Sequence, residues 1–131
     1  MRRKLVTILL LMIAMIHLLP VSGVLGAEQL HKLYGISING PDMEILMRHR
    51  AVLFGLLGLF FAYAAFKPLF QPLAFVAALI SMASFIILAY HVGGYNLAIK
   101  RVVLADGVAA VCWLIALVLY LSQRKSDHDR T

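Results

Sequence analysis

The stretch VVLADGVAAVCWLIALVLYL, which runs from Val102 to Leu121, decides the fold class. It carries one charged residue, Asp106, and no proline. An α-helix rises about 1.5 Å per residue, so a helix of this length reaches about 30 Å, the thickness of a bilayer hydrocarbon core. We therefore interpret the stretch as a membrane-spanning helix.

The remainder of the 131-residue chain has the same character. Apolar residues make up 63% of it and charged residues 14%, with a mean hydropathy of +0.92. Soluble domains carry about 45–50% apolar and about 25% charged residues, so a sizeable water-facing catalytic domain is excluded. The apolar runs predict an all-α polytopic membrane protein, a four-transmembrane-helix bundle with spans at about 5–26, 45–66, 73–91 and 102–121. Residues 1–122 form one membrane domain, and we expect the polar tail, 123–131, to be disordered and cytoplasmic.

The first apolar run has a second interpretation. Three basic residues, Arg2, Arg3 and Lys4, precede it, and several small residues occur in the sequence just before Ala27, as in a secretory signal peptide. A cut after Ala27 would place Leu25 at the −3 position, where a small residue is needed. The sequence thus favours a retained span and leaves cleavage open.

The net charge of +6 is explained by topology. Nucleic-acid binding needs Lys and Arg clustered on an exposed face, whereas here they flank the apolar runs, so we expect no nucleic-acid partner. Four spans place both termini on one side, with seven Lys and Arg against five on the other: Arg2, Arg3, Lys4, Lys67, Arg124, Lys125 and Arg130 against Lys32, Arg48, Arg50, Lys100 and Arg101. The bias predicts cytoplasmic termini.

Small residues recur at steps of three and four in the last three spans. Such rows let helix backbones approach closely in lipid, within one protomer, between copies of a homo-oligomer or against a membrane partner protein. The predicted rows are Ala51, Gly55, Gly58, Ala62 and Ala65; Ala74, Ala77, Ser81 and Ser84; and Ala105, Ala109, Cys112 and Ala116.

Extending these rows toward the side opposite the termini reaches Arg48, His91 and Asp106. We expect all three to point to the bundle axis in one outer-leaflet layer, with His17 about 10 Å deeper. A charge within the membrane costs a few kcal/mol, so Asp106 should have a partner, either Arg48 or Arg50. Two interpretations stay open: an ion pair that fixes helix packing, or a small polar pocket under the Gln29–Pro41 loop.

No catalytic or metal motif accompanies this cluster. The only cysteine, Cys112, lies in an apolar run, and the chain has no HExxH, CxxC or glycine-rich phosphate loop. A bis-histidine haem needs two imidazoles at matching depth, which His17 and His91 do not offer. We expect no cofactor, no metal and no enzymatic activity.

Four segments also resemble those of a known group of proteins. They are HLLPVSGVLG from His17, LYG from Leu33, MRHRAVLFG from Met47 and VGGYN from Val92. They resemble small bacterial four-span membrane proteins that are similar in layout to the DoxX-like family. The resemblance covers nearly the whole chain to about Ala116; it implies a four-helix architecture in a bacterial inner membrane and transfers no activity.

Some proteins of this group carry a phosphopantetheine adenylyltransferase label. That enzyme is a soluble α/β protein with an HxGH-type nucleotide motif, which HVGG at His91 matches only superficially, so we set the label aside. DoxX-like relatives are linked to quinone-coupled redox complexes. The sequence therefore suggests a non-enzymatic accessory protein or a binder of a lipid-like ligand, and alternatively a redox subunit that binds quinone or haem.

Overall fold

The computed structural model describes residues 1–128, and the side chains as far as residue 126. Five α-helices follow one another: α1 (Arg2–Leu18), α2 (Ala27–Tyr34), α3 (Pro41–Phe66), α4 (Gln71–Val92) and α5 (Leu97–His128). A 3₁₀ segment, Leu19–Leu25, continues α1, and a 3₁₀ turn, Pro68–Phe70, precedes α4. The described residues contain no β-strand, so the all-α prediction is confirmed.

Four helical segments are long and apolar enough to cross a membrane: Arg2–Leu25, Pro41–Phe66, Pro68–Val92 and Leu97–Ser126. The shortest has 24 residues, or about 36 Å at the helical rise, which exceeds a hydrocarbon core of about 30 Å. Large apolar side chains such as Leu56, Ile80 and Leu114 are more than half exposed on the outside of the bundle. Four long apolar helices with apolar outer faces are the architecture of a multi-pass membrane protein.

The helix ends follow from the local sequence. Gly35 adopts the left-handed conformation, with φ at 62°, and ends α2. Pro41 occupies the first turn of α3, where its missing N–H is not needed. Asn96 caps α5, since its Oδ1 accepts the N–H of Ile99 at 2.9 Å. Its Nδ2 donates to the carbonyl oxygen of Tyr34 at 2.9 Å, so one side chain joins the end of α2 to the start of α5.

The central helix of the bundle is α1. It packs against both α3 and α5, and its side chains Val6, Leu10 and Ile13 are fully buried. The contact with α3 is close at Gly58, where an added Cβ would lie 2.7 Å from Cγ of Leu18. The segment that also fits a signal peptide is thus part of the core in this fold.

The small-residue rows are only partly where the sequence places them. On α5, Ala109, Cys112 and Ala116 are buried as predicted. The predicted row on α4 is wrong at Ser84, which is exposed, because the most buried face passes through Ala78 and the large Met82; Ser81 is partly buried against His17. Large side chains are buried as readily as small ones when the facing helix leaves room, and spacing of small residues does not show this.

The last helix is longer than predicted at both ends. It starts five residues before Val102, and it continues without a break through residues 123–128. The expected disorder of the tail is therefore wrong for those residues, while 129–131 lie outside the described part of the chain. Gln, Arg and Lys are good helix formers, and Nη1 of Arg2 donates to Oγ of Ser122 at 3.1 Å, which fastens this end of α5 to α1.

Candidate functional site

A cavity of about 210 Å³ lies within the end of the bundle that α2 covers. Its wall takes residues from the end of α1, the 3₁₀ segment and all four other helices. The polar members are His17, Lys32, Tyr34, Arg50, Arg101 and Asp106. Three of the five sequence-predicted site residues, His17, Arg50 and Asp106, are thus brought together under the α2 segment.

Asp106 is the buried carboxylate of this cavity. Its exposed fraction is 7%. Arg50 is the cation whose charge acts on it, but within residues 1–128 no side-chain nitrogen forms an ion pair with it inside 4.0 Å. Asp106 also accepts no hydrogen bond from any described residue. A buried carboxylate has about four acceptor sites, and here they face the cavity.

Arg50 is held by aromatic rings. Its Cζ atom lies 5.2 Å from the ring centre of Tyr34, 5.0 Å from that of Phe54 and 5.7 Å from that of Phe85. All three distances fall within the range of about 6 Å for cation–π attraction. We call Tyr34, Phe54 and Phe85 the aromatic cage, and it draws one ring each from α2, α3 and α4.

His17 is engaged through both ring nitrogens. Nδ1 lies 2.9 Å from the carbonyl oxygen of Ile13, which can only accept, so Nδ1 carries the proton. Nε2 of the neutral ring then accepts the hydroxyl of Ser81 at 3.0 Å. The ring also stacks on Phe54 at 5.8 Å. His17 therefore closes the deep end of the cavity as a packed, hydrogen-bonded side chain with no free nitrogen for a metal.

The pKa of Tyr34 depends on the charges of both Arg50 and Asp106. Burial raises the pKa of its hydroxyl, the positive charge of Arg50 opposes that change, and the negative charge of Asp106 adds to it. The phenol is thus neutral at physiological pH, and it is the polar end of a cage ring. A neutral phenol can donate to one acceptor and accept from another donor.

The entrance carries two exposed cations, Lys32 and Arg101. Lys32 forms an ion pair with Glu28 at 2.7 Å, which lowers the pKa of the Glu28 carboxyl. Arg101 and Asp106 are five residues apart on α5, or about 7.5 Å along the helix axis. The cavity therefore runs from a cationic entrance to a buried carboxylate.

The expected inward orientation of Arg48 is wrong. The guanidinium is exposed, Nε donates to the carbonyl oxygen of Val24 at 2.9 Å and Nη1 donates to Oε1 of Glu44 at 3.1 Å. At Arg48, α3 packs against the 3₁₀ segment, as the bond to Val24 shows. Helical spacing alone does not show which neighbouring element a helix face packs against.

The expected position of His91 is also wrong. Its side chain is exposed and lies outside the cavity wall. The buried face of α4 runs through Ala78 and Met82, and Phe85 continues it at the cavity. His91 is six residues beyond Phe85, or 600° at 100° per residue, which points it well away from that face.

Sequence reasoning missed the aromatic cage. Phe54 follows Arg50 by four residues and lies on the same helix face, so the spacing could have indicated that contact. Tyr34 and Phe85 are far from Arg50 in sequence and give no such signal. Within the described residues, no group of three or more His, Cys, Asp or Glu side chains could hold a metal ion.

The cavity is thus a small, partly aromatic site with one buried acceptor group, one caged cation and a cationic entrance. A comparison of the chain with protein-family models, curated proteins and solved structures found no match.

Proposed function

We propose that this multi-pass membrane protein has no enzymatic activity of its own and binds the polar end of a lipid-like molecule in the Asp106 cavity. The observation that carries the proposal is the buried Asp106 carboxylate, which faces the cavity without a hydrogen-bond partner among the described residues. A buried polar group without a partner costs about 1–3 kcal/mol. A ligand that brings hydroxyl or amine donors to Asp106 would remove that cost.

The size of the cavity sets what it can hold. Pockets for whole small molecules usually measure about 300–1,000 Å³, so a cavity of about 210 Å³ accommodates a headgroup and leaves an apolar tail outside. Apolar residues such as Ile16, Leu19 and Val102 share the wall with the polar ones. This mixture suits an amphipathic ligand better than a water-soluble one.

The setting is proposed on two further grounds. The excess of Lys and Arg on the terminal side supports cytoplasmic termini, which would place the cavity in the outer leaflet. The quoted resemblance to small four-span proteins of DoxX-like layout supports a bacterial inner membrane. A reporter fused after Arg124 should give a cytoplasmic signal; a periplasmic signal would reverse the orientation.

Native mass spectrometry of the purified full-length protein tests the proposal. The variants Arg50→Gln and Asp106→Asn should each retain at least tenfold less amphiphile than the wild type, since a hydrogen bond to a charged group contributes about 1.5–3 kcal/mol. The matched controls are Arg48→Gln and Asp42→Asn, which make the same chemical changes outside the cavity. The proposal fails if no amphiphile is retained by the wild type, or if all four variants retain it equally.

A quinone headgroup is the second candidate, and the ring walls formed by Phe54 and Phe85 favour it. Its carbonyl oxygens would accept from Arg50 or from the hydroxyl of Tyr34. Haem fits less well, because Nε2 of His17 already accepts the Ser81 hydroxyl. Quinone in a solvent extract of the pure protein would support the redox alternative, whereas an extract without quinone and a spectrum without a Soret band would exclude it.

A further inference from the structure

A second cleft lies at the opposite end of the bundle, where α1 and α4 begin and α3 ends. Its volume is about 510 Å³. We call it the terminal cleft; its polar wall consists of Arg3, Thr7, Gln71, Tyr120, Gln123 and Arg124. It shares no residue with the Asp106 cavity. What it binds can therefore be tested independently of the proposed function.

Three polar side chains of this cleft have no hydrogen-bond partner within the described part of the chain. Gln71 as a residue has an exposed fraction of only 7%, and its amide makes no hydrogen bond there. Nε2 of Gln123 is fully buried and also has none. The hydroxyl of Tyr120 is likewise unbonded. Buried polar groups in folded proteins are nearly always hydrogen-bonded, so the buried side chain of Gln71 and Nε2 of Gln123, both unbonded at one cleft, indicate a missing partner.

Thr7, in the same wall, does have a hydrogen-bond partner. Its Oγ1 donates to the carbonyl oxygen of Ala65 at 3.0 Å, unlike the side chains of Gln71, Tyr120 and Gln123, which make no hydrogen bond within the described residues. The unbonded groups offer amide N–H and phenol O–H donors, and Arg124 adds a guanidinium. These donors and this positive charge suit a ligand with several acceptor oxygens and a negative charge, which is the chemistry of a phosphate group.

The rim of the cleft indicates where that phosphate comes from. Phe66 and Leu69 line it and are mostly exposed. Apolar side chains beside a cationic, donor-rich cleft match the boundary between headgroups and acyl chains. We propose that the terminal cleft binds the phosphate of an anionic glycerophospholipid from the leaflet on the side of the two termini, with the amides of Gln71 and Gln123 as donors.

The experiment uses the full-length protein in detergent with added lipid. Dioleoyl phosphatidylglycerol, dioleoylglycerol and inorganic phosphate are each titrated, with bound adducts read by native mass spectrometry and thermal stability by circular dichroism. We expect the phospholipid to bind and to raise the Tm, and dioleoylglycerol, which lacks the phosphate, not to do so. Inorganic phosphate that displaces the lipid at equal concentration would show a site for free phosphate and would overturn the lipid assignment.

The double variant Gln71→Leu/Gln123→Leu separates binding from folding. It should reduce phospholipid binding at least tenfold while leaving the lipid-free Tm unchanged or higher, because it removes unpartnered polar groups. A lower lipid-free Tm together with unchanged lipid binding would show a structural role and would refute the proposal. Arg124→Gln should also weaken binding, whereas Lys125→Gln, an exposed neighbour outside the cleft, should not; equal effects of both would reduce the interaction to general surface charge.

Discussion

The close contact between α1 and α3 at Gly58 allows us to predict how much Gly58→Ala changes the free energy of unfolding. A Cβ added there would lie 2.7 Å from Cγ and 2.8 Å from Cδ2 of Leu18, and 3.1 Å from the carbonyl oxygen of Ala14. Overpacking of this kind costs about 1–3 kcal/mol. Replacing glycine by alanine within a helix contributes about 1 kcal/mol in the other direction. Gly58→Ala should therefore lower the free energy of unfolding by about 0–2 kcal/mol.

Gly107→Ala is the matched control. Gly107 lies within α5, and an added Cβ there has no atom within 4 Å among the described residues. Alanine should bring the same gain in helix propensity here without a steric clash. The substitution should therefore leave the free energy of unfolding unchanged or raise it by up to about 1 kcal/mol. The difference between the two variants, about 1–3 kcal/mol, measures the close approach alone, because the helix term is common to both.

The lone cysteine provides the assay. Cys112 has an exposed fraction of 8% and lies in the same core as α1 and α3. Its labelling by a small thiol reagent, measured across mixtures of mild detergent and dodecyl sulfate, reports unfolding. In Gly58→Ala half-maximal labelling should need less dodecyl sulfate than in Gly107→Ala, and adding Leu18→Ala should recover part of the difference. Equal shifts in both glycine variants would refute the close packing of α1 on α3.

Four further outcomes follow from single contacts. Trp113→Phe removes the indole donor to the carbonyl of Phe75, a bond of 2.8 Å, and should cost about 0.6–2 kcal/mol in the same labelling assay. Asn96→Ala removes the cap of α5 and the bond to Tyr34; it should cost about 1–2 kcal/mol and should increase amide exchange at Ile99. The pKa of Tyr34 is raised by burial, so folding favours the neutral phenol; this stability is complete below about pH 10 and is lost above it. Tyr34→Phe should flatten the alkaline end of the pH–stability curve. The mature protein should retain α1, the central helix, so mass-spectrometric peptide mapping should recover residues of Arg2–Leu18.

The sequence predicts the fold well because few backbone structures are possible within a lipid bilayer. A chain of long apolar runs in a bilayer must form helices, since every backbone N–H and C=O group has to be satisfied within the segment. The row Ala109, Cys112 and Ala116 was predictable for the same reason, because the helical period is fixed once the helix is given. The extension of α5 beyond Leu121 was not, because it leaves the apolar run whose length marks the span.

The site was predictable only in its buried charge. Asp106 stands out as a single acid within an apolar run, so its place near the bundle axis could be inferred. The row that led to His91 follows the wrong face of α4, and for Arg48 the element that covers its face depends on packing between distant parts of the chain. The cage around Arg50 depends on that packing as well, since two of its three rings come from other helices.

The aromatic cage gives Arg50 a favourable position in the cavity wall that it shares with Asp106, without a closed ion pair. Each ring contributes about 0.5–2 kcal/mol of cation–π attraction, so three rings together hold the guanidinium with about 1.5–6 kcal/mol. A buried ion pair contributes little beyond the cost of removing both charges from water. The cage holds the cation without an ion pair to Asp106, and the carboxylate keeps its acceptor sites toward the cavity. A ligand with donors can reach Asp106 without first separating it from Arg50, which is what a binding site needs and a structural ion pair does not provide.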